Sequence, residues 1–249
     1  MPESNGISSG HTLEVNELVK FYSGRKVVNG VSLQVDSGEV VGLLGRNGAG
    51  KTTTFKMTVG LVKPHSGSIV FRGTDVSNLP IYQRARLGLG YLPQETSIFQ
   101  RMSVVDNLNA IIEMLPGNKN REVDFAFNLL KEYKLAHLSK QLAHTLSGGE
   151  KRRLEICRAM LTNPKVLLLD EPFSGIDPIT VEDLQKVILS LKNRGIGILL
   201  TDHNVRETLR VTDRSYIIDE GVVLTHGKPE EVINNQIVRK TYLGENFSL

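Results

Sequence analysis

Hydrophobic residues follow two different spacings along this chain. In residues 31–35 they alternate with polar residues, as in a strand with one face in solvent, whereas residues 40–44 are apolar throughout, which is typical of a central buried strand. Residues 166–169 and 196–200 form two more apolar runs, and the segment 181–191 between them has helical spacing. The order of strand, helix and strand predicts a parallel sheet with right-handed crossovers, and therefore an α/β fold.

The pattern becomes helical between about residues 95 and 164. Its apolar residues fall on two helix faces, one formed by Val104, Leu108, Ile111 and Leu115 and the other by Val123, Phe127 and Leu130. Alternation returns around the turn Glu220-Gly221, and a short helical tail follows. We therefore expect a core formed by residues 12–94 and 165–243, an inserted helical subdomain at 95–164, and tails at 1–11 and 244–249.

Composition and charge narrow the function classes. The chain has 249 residues, 40% of them hydrophobic, which is enough for one large domain or two small ones. The net charge of +3 comes from 30 basic and 27 acidic residues spread along the chain, with the densest basic cluster at residues 151–153. This distribution is weak support for nucleic-acid binding, and we expect no nucleic-acid partner.

Compartment is indicated by cysteine usage and by hydropathy. The single cysteine, Cys157, excludes an internal disulfide, fits a reducing compartment and is expected to be a small buried core residue. No apolar segment reaches the roughly 18 residues of a membrane helix, and the polar start has no apolar signal core. These features predict a cytoplasmic protein with a mobile N-terminal tail, whose membrane role would require a partner.

The clearest chemical signal is a phosphate-binding loop. Directly after the apolar run 40–44 stands Gly45-Arg46-Asn47-Gly48-Ala49-Gly50-Lys51-Thr52-Thr53. Its glycines allow successive backbone amides to turn around a β-phosphate, and the helix that follows directs its positive end at the same oxygens. Lys51 adds a full charge, and Thr52 offers a hydroxyl to Mg²⁺. The loop predicts binding of a nucleoside triphosphate.

Polar residues follow the predicted buried strands at the edge where such sheets bind ligands. Asp170 is expected to face Mg²⁺, usually through water, and Glu171 to face the γ-phosphate and polarise the attacking water. His203 arrives at the same edge, where its imidazole can bond a γ-phosphate oxygen. Gln94 follows another strand-like segment, so that its amide oxygen can reach Mg²⁺ while its backbone acts as a hinge. Tyr22 can stack on adenine, with a packing role as the alternative.

A second anion site is predicted at residues 146–150, Leu-Ser-Gly-Gly-Glu. Ser147 and Glu150 have the spacing of a helix capping box, and Gly148 and Gly149 leave the first amides of that helix bare. Two glycines in a first turn cost about 1 kcal/mol each relative to alanine, which a bound phosphate would offset. An ordinary helix start is the alternative, and the same alternative holds for Asp177-Pro178.

Residues 12–243 resemble the ATP-binding subunits of ABC transporters. The features that carry the resemblance occur in the family's order: Tyr22, the loop 45–53, Gln94, Leu146–Glu150, Asp170-Glu171, Ser174–Asp177 and His203. The resemblance implies a phosphate-loop ATPase core with an N-terminal antiparallel β portion, and ATP and Mg²⁺ as ligands. It also implies that two copies pair head to tail, each closing its Ser147 helix over the ATP on the other's Lys51 loop, and that transmembrane subunits dock beside Gln94.

Finer similarity points to one branch of that family. Residues 90–99, 201–208 and 242–247 look like the ATPases of lipopolysaccharide export, with Gln100 in place of the expected arginine and Cys157 in place of alanine. The resemblance implies docking of transmembrane subunits near Phe99, lipopolysaccharide as an indirect cargo, and a position on the cytoplasmic face of the inner membrane.

Three alternatives stay open on the sequence. A branched-chain amino acid importer uses similar ATPases, and copurified partners would distinguish the two. ABC-type proteins that act on ribosomes or DNA usually carry two cassettes or a long coiled-coil insertion, whereas this chain has one phosphate loop and no sustained heptads. A GTPase is disfavoured because Asn118-Lys119-Asn120-Arg121 lacks the acidic residue that would accept hydrogen bonds from guanine.

Overall fold

Two β-sheets organise the part of the chain that this computed structural model describes, residues 11–115, 125–244 and 247. The strands are β1 (Leu13–Tyr22), β2 (Arg25–Val35), β3 (Val40–Leu44), β4 (Ser66–Phe71), β5 (Thr74–Asp75), β6 (Leu89–Leu92), β7 (Val166–Asp170), β8 (Gly197–Thr201), β9 (Arg214–Asp219) and β10 (Val222–Gly227). The α-helices are α1 (Lys51–Val59), α2 (Ile81–Leu87), α3 (Val104–Met114), α4 (Phe125–Glu132), α5 (Gly148–Met160), α6 (Pro178–Asn193), α7 (Val205–Leu209), α8 (Pro229–Asn234) and α9 (Gln236–Val238). Short 3₁₀ turns occur at Ala136–Leu138 and Ala143–Thr145, and a π-helical turn at Arg239–Leu243.

The larger sheet has six strands in the order β10-β9-β3-β8-β7-β6. All neighbours in it are parallel except β10, which returns from β9 through the turn predicted at Glu220-Gly221. Strands β3, β7 and β8 are buried along their whole length, as their apolar sequences predict. Because Asp170 pairs with Thr201, the residues that follow each strand, Glu171 and Asp202, meet at one edge. The predicted α/β fold is confirmed.

The smaller sheet is antiparallel, in the order β2-β1-β4-β5. Its buried residues include Val31, Leu33 and Val35 of β2. Their alternation with polar residues predicts a strand with one face buried and the other in solvent. They pack with Phe55 of α1 and Leu43 of β3 in one hydrophobic core between the two sheets. This core holds α1 against the end of β3 and so fixes the loop that joins them.

Residues 95–164 contribute helices α3, α4 and α5, joined by turns and irregular segments, and these helices pack on the opposite side of the larger sheet. The prediction for α4 was wrong in one respect, because Phe127 is 37% exposed while Ala126 and Leu130 form the buried face. The helix is eight residues long, too short for the spacing of a few apolar residues to specify which face is buried. The division into core and helical subdomain stays a prediction.

Some predicted features fall outside the described residues. They include residues 1–10 of the N-terminal tail, Val123, the segment 118–121 that resembles a guanine-binding motif, and four residues of the C-terminal tail. His11, placed in the tail by its sequence, contacts Asp36 through Nδ1 at 2.6 Å. Among the helices that the structure describes, none has the length and hydropathy to cross a bilayer.

Candidate nucleotide site

The phosphate loop joins β3 to α1 and wraps around the N-terminus of that helix. Gly50 stands before the first helical residue with φ +104°, a backbone conformation that favours glycine. A side chain at Gly45 would meet the Ile218 carbonyl oxygen at 2.0 Å, so this position has no space for one. Arg46, Asn47, Gly48 and Thr52 are exposed, Thr53 is partly exposed and Ala49 is buried. The local sequence therefore builds a tight loop whose outer surface faces solvent.

Lys51 is directed back into the loop. Its Nζ donates to the carbonyl oxygens of Gly45 at 2.7 Å and Arg46 at 3.0 Å, and the residue is 7% exposed. Burial lowers the pKa of Lys51, while the nearby carboxylates of Glu171 and Asp170 oppose that shift. Lys51, Asp170 and Glu171 therefore lie close enough to interact, although 118 residues separate Lys51 from Asp170 in the chain.

Asp170 is the last residue of β7, and its carboxylate is buried. Oδ2 accepts from the Tyr91 hydroxyl at 3.3 Å, whereas the buried Oδ1 has no hydrogen-bond partner among the described residues. Burial raises the pKa of Asp170, and the hydrogen bond from Tyr91 opposes the shift. An orphaned carboxylate oxygen is suited to a cation or to water bound to a cation. In the described part of the chain, no group of three or more His, Cys, Asp or Glu side chains is arranged to hold a metal ion.

Glu171 projects its carboxylate between two polar side chains from other segments. Gln94 Nε2 donates to Glu171 Oε2 at 2.8 Å, and Nδ1 of His203 lies 3.4 Å from the same oxygen. The backbone of Glu171 has φ +47°, and its amide donates to the Thr201 carbonyl at 2.8 Å. Non-glycine residues rarely adopt this conformation, and such strain concentrates at functional sites. The structure thus brings together the three residues that the sequence placed at separate strand ends.

His203 is 57% exposed and is held in place by the residue before it. Asp202 is completely buried, and its carboxylate accepts from the backbone amides of Phe173 at 2.8 Å and Asn204 at 2.9 Å. Burial raises the pKa of Asp202, and those two amides oppose the shift. Sequence reasoning gave Asp202 no role. A polar residue directly after a buried strand is the signal that could have identified it.

The predicted second anion site begins helix α5. Both bonds of the capping box are present: Ser147 Oγ accepts from the Glu150 amide at 3.3 Å, and Glu150 Oε2 accepts from the Ser147 amide at 2.8 Å. Ser147 and Gly148 are exposed, whereas Gly149 is buried. A cleft of about 270 Å³ lies between this helix start and the β7 end, with Gly148, Lys151, Gln94 and Glu171 on its walls.

Helix α5 is also fastened to the segment that follows β6. Arg152 donates to the carbonyl oxygens of Pro93 at 2.9 Å and Asp170 at 3.0 Å, and it pairs with Glu155 at 2.9 Å. Glu155 in turn accepts from the Ser97 amide at 2.6 Å. The basic cluster at 151–153 is therefore not a uniform surface patch, since Arg152 is 6% exposed. Its spacing of three from Glu155 was the available sequence signal.

Two predicted contact residues are exposed aromatics. Tyr22 ends β1 at 46% exposure, with Lys20 Nζ 5.5 Å from its ring centroid. Phe99 is 42% exposed and carries the Arg158 guanidinium 4.6 Å from its ring centroid. Arg158 also donates to the Ser97 carbonyl oxygen at 2.8 Å, so this α5 residue contacts both Phe99 and the segment that precedes it. Cys157 is buried as predicted, and burial raises the pKa of its thiol.

Comparison with known proteins gives consistent matches. The family model described as ABC transporter matches residues 28–174. An uncharacterised ABC transporter ATP-binding protein of Rhizobium meliloti is 56% identical, over 96% of this chain and 88% of its own length. The lipopolysaccharide export system ATP-binding protein LptB of Escherichia coli is 51% identical, over 96% of this chain and 99% of its own length.

A solved structure matches the fold as a whole. It is the ADP conformation of an ATP-binding cassette of an ABC transporter, 30% identical in sequence, with a TM-score of 0.85. The match covers 94% of this chain and 99% of the other.

Proposed function

The chain belongs to the ABC transporter family, and from this premise we propose that it is the ATP-hydrolysing subunit of a lipopolysaccharide exporter. One observation carries the export assignment: the similarity to LptB extends over 99% of that protein at 51% identity. A shared ATPase core alone would favour no particular cargo. The site geometry supports the chemistry, because the phosphate loop, Asp170, Glu171 and His203 lie at one sheet edge.

ATP binding is assigned to residues 45–53. The exposed outer amides of this loop surround the phosphates, and the positive end of α1 adds to their attraction. Lys51 exchanges its carbonyl contacts for phosphate oxygens, which stabilises the bound triphosphate by a charge-assisted bond. Tyr22 stacks on the adenine ring from the end of β1, where its ring is exposed.

Magnesium fits the donor set at the same edge. Thr52 and Gln94 supply neutral oxygens, and Asp170 supplies its unpartnered Oδ1, directly or through water. The ion neutralises charge on the β- and γ-phosphates when bound. A single buried carboxylate suits Mg²⁺, because Mg²⁺ normally takes most of its remaining ligands from substrate phosphates and water.

Hydrolysis is assigned to Glu171, supported by its two neighbours. The carboxylate accepts a hydrogen bond from the attacking water and polarises it toward the γ-phosphorus. Gln94 fixes Oε2 of that carboxylate by a 2.8 Å hydrogen bond. His203 lies 3.4 Å from Oε2, and its imidazole bonds a γ-phosphate oxygen to keep the phosphate in line with the water.

A second copy of the chain completes the site. The helix that begins after Ser147 presents an exposed, capped N-terminus with two glycines. This N-terminus suits a phosphate that is bound to the other copy rather than to this chain's own phosphate loop. Head-to-tail pairing would place the γ-phosphate of one copy under Ser147, Gly148 and Gly149 of the other. ATP thereby holds the closed dimer, and hydrolysis releases it.

Transmembrane subunits dock near Gln94 and Phe99 in this proposal, and so place the chain on the cytoplasmic face of the inner membrane. Phe99 offers an exposed ring, and an apolar groove with Tyr91, Ile111 and Arg158 on its walls lies beside it. Gln94 borders this region and also donates a hydrogen bond to Glu171. A docked partner that moves residues 94–99 would therefore also move a side chain that contacts Glu171.

Copurification tests the proposal directly. The tagged chain is recovered from detergent-solubilised membranes of its own host, and the bound proteins and lipids are identified by mass spectrometry. We expect two large membrane subunits with periplasmic domains, together with lipopolysaccharide. Small permease subunits with a periplasmic binding protein would overturn the export assignment and leave the ATPase intact. ATPase activity of the purified chain is measured in parallel.

A further inference from the structure

Gly149 is packed against another helix of its own chain. A Cβ atom built on Gly149 would lie 1.8 Å from Cγ2 of Thr180, far inside any permitted contact. A Cβ on the neighbouring Gly148 would meet only the Gly175 carbonyl oxygen, at an ordinary 3.6 Å. The two adjacent glycines therefore differ: the space beside Gly149 is filled, and the space beside Gly148 is open.

Thr180 cannot easily turn its methyl group away. Asp177 caps helix α6, and its Oδ1 accepts from the Thr180 amide at 3.0 Å. Its Oδ2 accepts from Thr180 Oγ1 at 2.6 Å. With Oγ1 held by Asp177, the χ1 angle of Thr180 is fixed, and Cγ2 points at Gly149. β-Branched side chains in helices already have little χ1 freedom.

We propose that Thr180 is a positioning residue that sets the start of α5 against the start of α6, and that Gly149 is glycine because Thr180 occupies its side-chain space. The inference rests on the proposed function only in its consequence for ATP. Contact between Gly149 and Thr180 ties the capped end of α5 to the segment 171–180 that follows β7 and carries Glu171. The glycine cost in the first turn of α5 thus has an offset within the chain, beside any bound phosphate.

The contact between Gly149 and Thr180 affects how the N-terminus of α5 is oriented toward ATP bound to the other copy. The amides at the start of α5 can bind a phosphate of the other copy only if the helix end has the correct orientation. A side chain at position 149 would push α5 away from α6 and tilt that end. Binding of ATP to the chain's own phosphate loop should change little, because the three atoms nearest to a Cβ at position 149 all belong to Thr180 and none to residues 45–53.

The steric part is tested without nucleotide by thermal unfolding. We expect Gly149→Ala to lower the melting temperature by about 5 °C, the effect of an overpacked contact in a chain of this size. Thr180→Ser removes Cγ2 and keeps the hydroxyl bonded to Asp177, leaving Cβ at 3.2 Å as the nearest atom to the new methyl. In the Thr180→Ser background, Gly149→Ala should therefore lower the melting temperature much less than it does in the parent. Gly148→Ala, the matched control, should show no such loss.

The positioning part is tested in a Glu171→Gln background, in which bound ATP is not consumed. Affinity for a fluorescent ATP analogue is measured at a protein concentration at which the chain is monomeric, so that only its own phosphate loop is tested, and ATP-dependent dimer formation is measured at higher concentration by light scattering. We expect Gly149→Ala to leave the affinity within about twofold and to weaken dimer formation at least tenfold, with Thr180→Ser restoring it.

The outcomes separate the two proposals. Loss of dimer formation that Thr180→Ser does not restore would overturn the positioning role, as would a melting temperature insensitive to Gly149→Ala. Absence of any ATP-dependent dimer in the Glu171→Gln parent would instead overturn the proposed pairing, while the melting temperatures still decide the packing claim.

Discussion

At the scale of single residues, Glu171 combines a strained backbone with a carboxylate that has two polar neighbours. Its φ of +47° is accompanied by a hydrogen bond from its backbone amide to the Thr201 carbonyl oxygen, and its side chain is 19% exposed between Gln94 and His203. Strain of this kind costs about 1 kcal/mol and persists only where surrounding contacts enforce it. The strained backbone of Glu171 thus supports its proposed catalytic role.

Glu171→Gln should keep ATP binding and lose most turnover. The amide still accepts hydrogen bonds but polarises water poorly, so we expect the steady-state ATPase rate to fall at least about 100-fold. Nucleotide affinity should change little, because the phosphate contacts lie on the loop 45–53. Glu95→Gln is the control, an exposed glutamate nearby that should leave the rate unchanged. Normal turnover in Glu171→Gln would remove this residue from the mechanism.

Asp170→Asn should stabilise the fold at neutral pH while impairing hydrolysis. Burial raises the pKa of Asp170, so the folded state resists deprotonation more than the unfolded state, and ionisation above the ordinary pKa lowers the free energy of unfolding. Asparagine avoids that loss. The gain in melting temperature should be largest at pH values above the raised pKa and should disappear below the ordinary pKa of 3.8, where the carboxyl is protonated in both states.

Asp75→Asn provides the opposite case for the same measurement. Hydrogen bonds from Ser77 lower the pKa of Asp75, so its ionised form already favours the folded state. The substitution should give no gain at pH 7. An Asp170→Asn protein that is less stable than the parent at pH 7 would contradict the assigned effect of burial.

At the scale of elements, the segments after β7 and β8 are joined by one buried carboxylate. Asp202 binds the amides of Phe173 and Asn204, and so connects the loop that carries Glu171 to the start of α7. Helix α5 is connected to the same region through Arg152, which donates to Asp170 and Pro93. The segment that carries Glu171, the proposed catalytic residue, is therefore held by contacts from α5 and from the residue that follows β8.

Asp202→Ala should destabilise the fold and slow turnover together. The buried amide of Phe173 and the partly buried amide of Asn204 lose their acceptor, which costs about 2 kcal/mol of the free energy of unfolding. Asp202→Asn keeps one acceptor oxygen and should lie between the parent and Asp202→Ala. Denaturant unfolding measures the stability and an ATPase assay the rate. Equal stability of Asp202→Ala and the parent would show that the two amides find other partners.

At the scale of the whole molecule, two exposed aromatic side chains, Phe99 and Phe127, belong to different segments of the chain: Phe99 follows β6, and Phe127 lies on α4. Phe99 is stacked by Arg158 and Phe127 by Lys131, the latter with Nζ 5.0 Å from the ring centroid. Both rings are about 40% exposed, yet only Phe99 lies on the segment that leads to Gln94. This difference makes the pair a matched test of where membrane subunits dock.

Phe99→Ala should separate hydrolysis from assembly. We expect the isolated chain to keep its ATPase rate within about twofold, because the ring is exposed and is stacked by Arg158, a residue with no proposed role at the ATP site. Recovery of the membrane subunits in copurification should fall strongly, since aromatic anchors dominate such interfaces. Phe127→Ala should leave recovery intact. Equal recovery for both variants would place the docking surface elsewhere.

Local sequence determined much of this protein. The phosphate loop, the buried strands and the capping box at Ser147 follow from the spacing of glycine, apolar and polar residues, because each is a short-range feature of the backbone. The order of these features also sufficed to indicate the family. Strand alternation likewise specified which face of β2 is buried.

Tertiary structure alone decided which residues meet. The unpartnered oxygen of Asp170, the buried position of Arg152, the exposure of Phe127 and the contact of Gly149 with Thr180 all depend on segments far apart in the chain. Sequence spacing specifies a helix or a strand, but the surface that covers each residue is set by how the elements pack. The space beside a glycine is therefore known only after folding, when another helix has filled it or left it open.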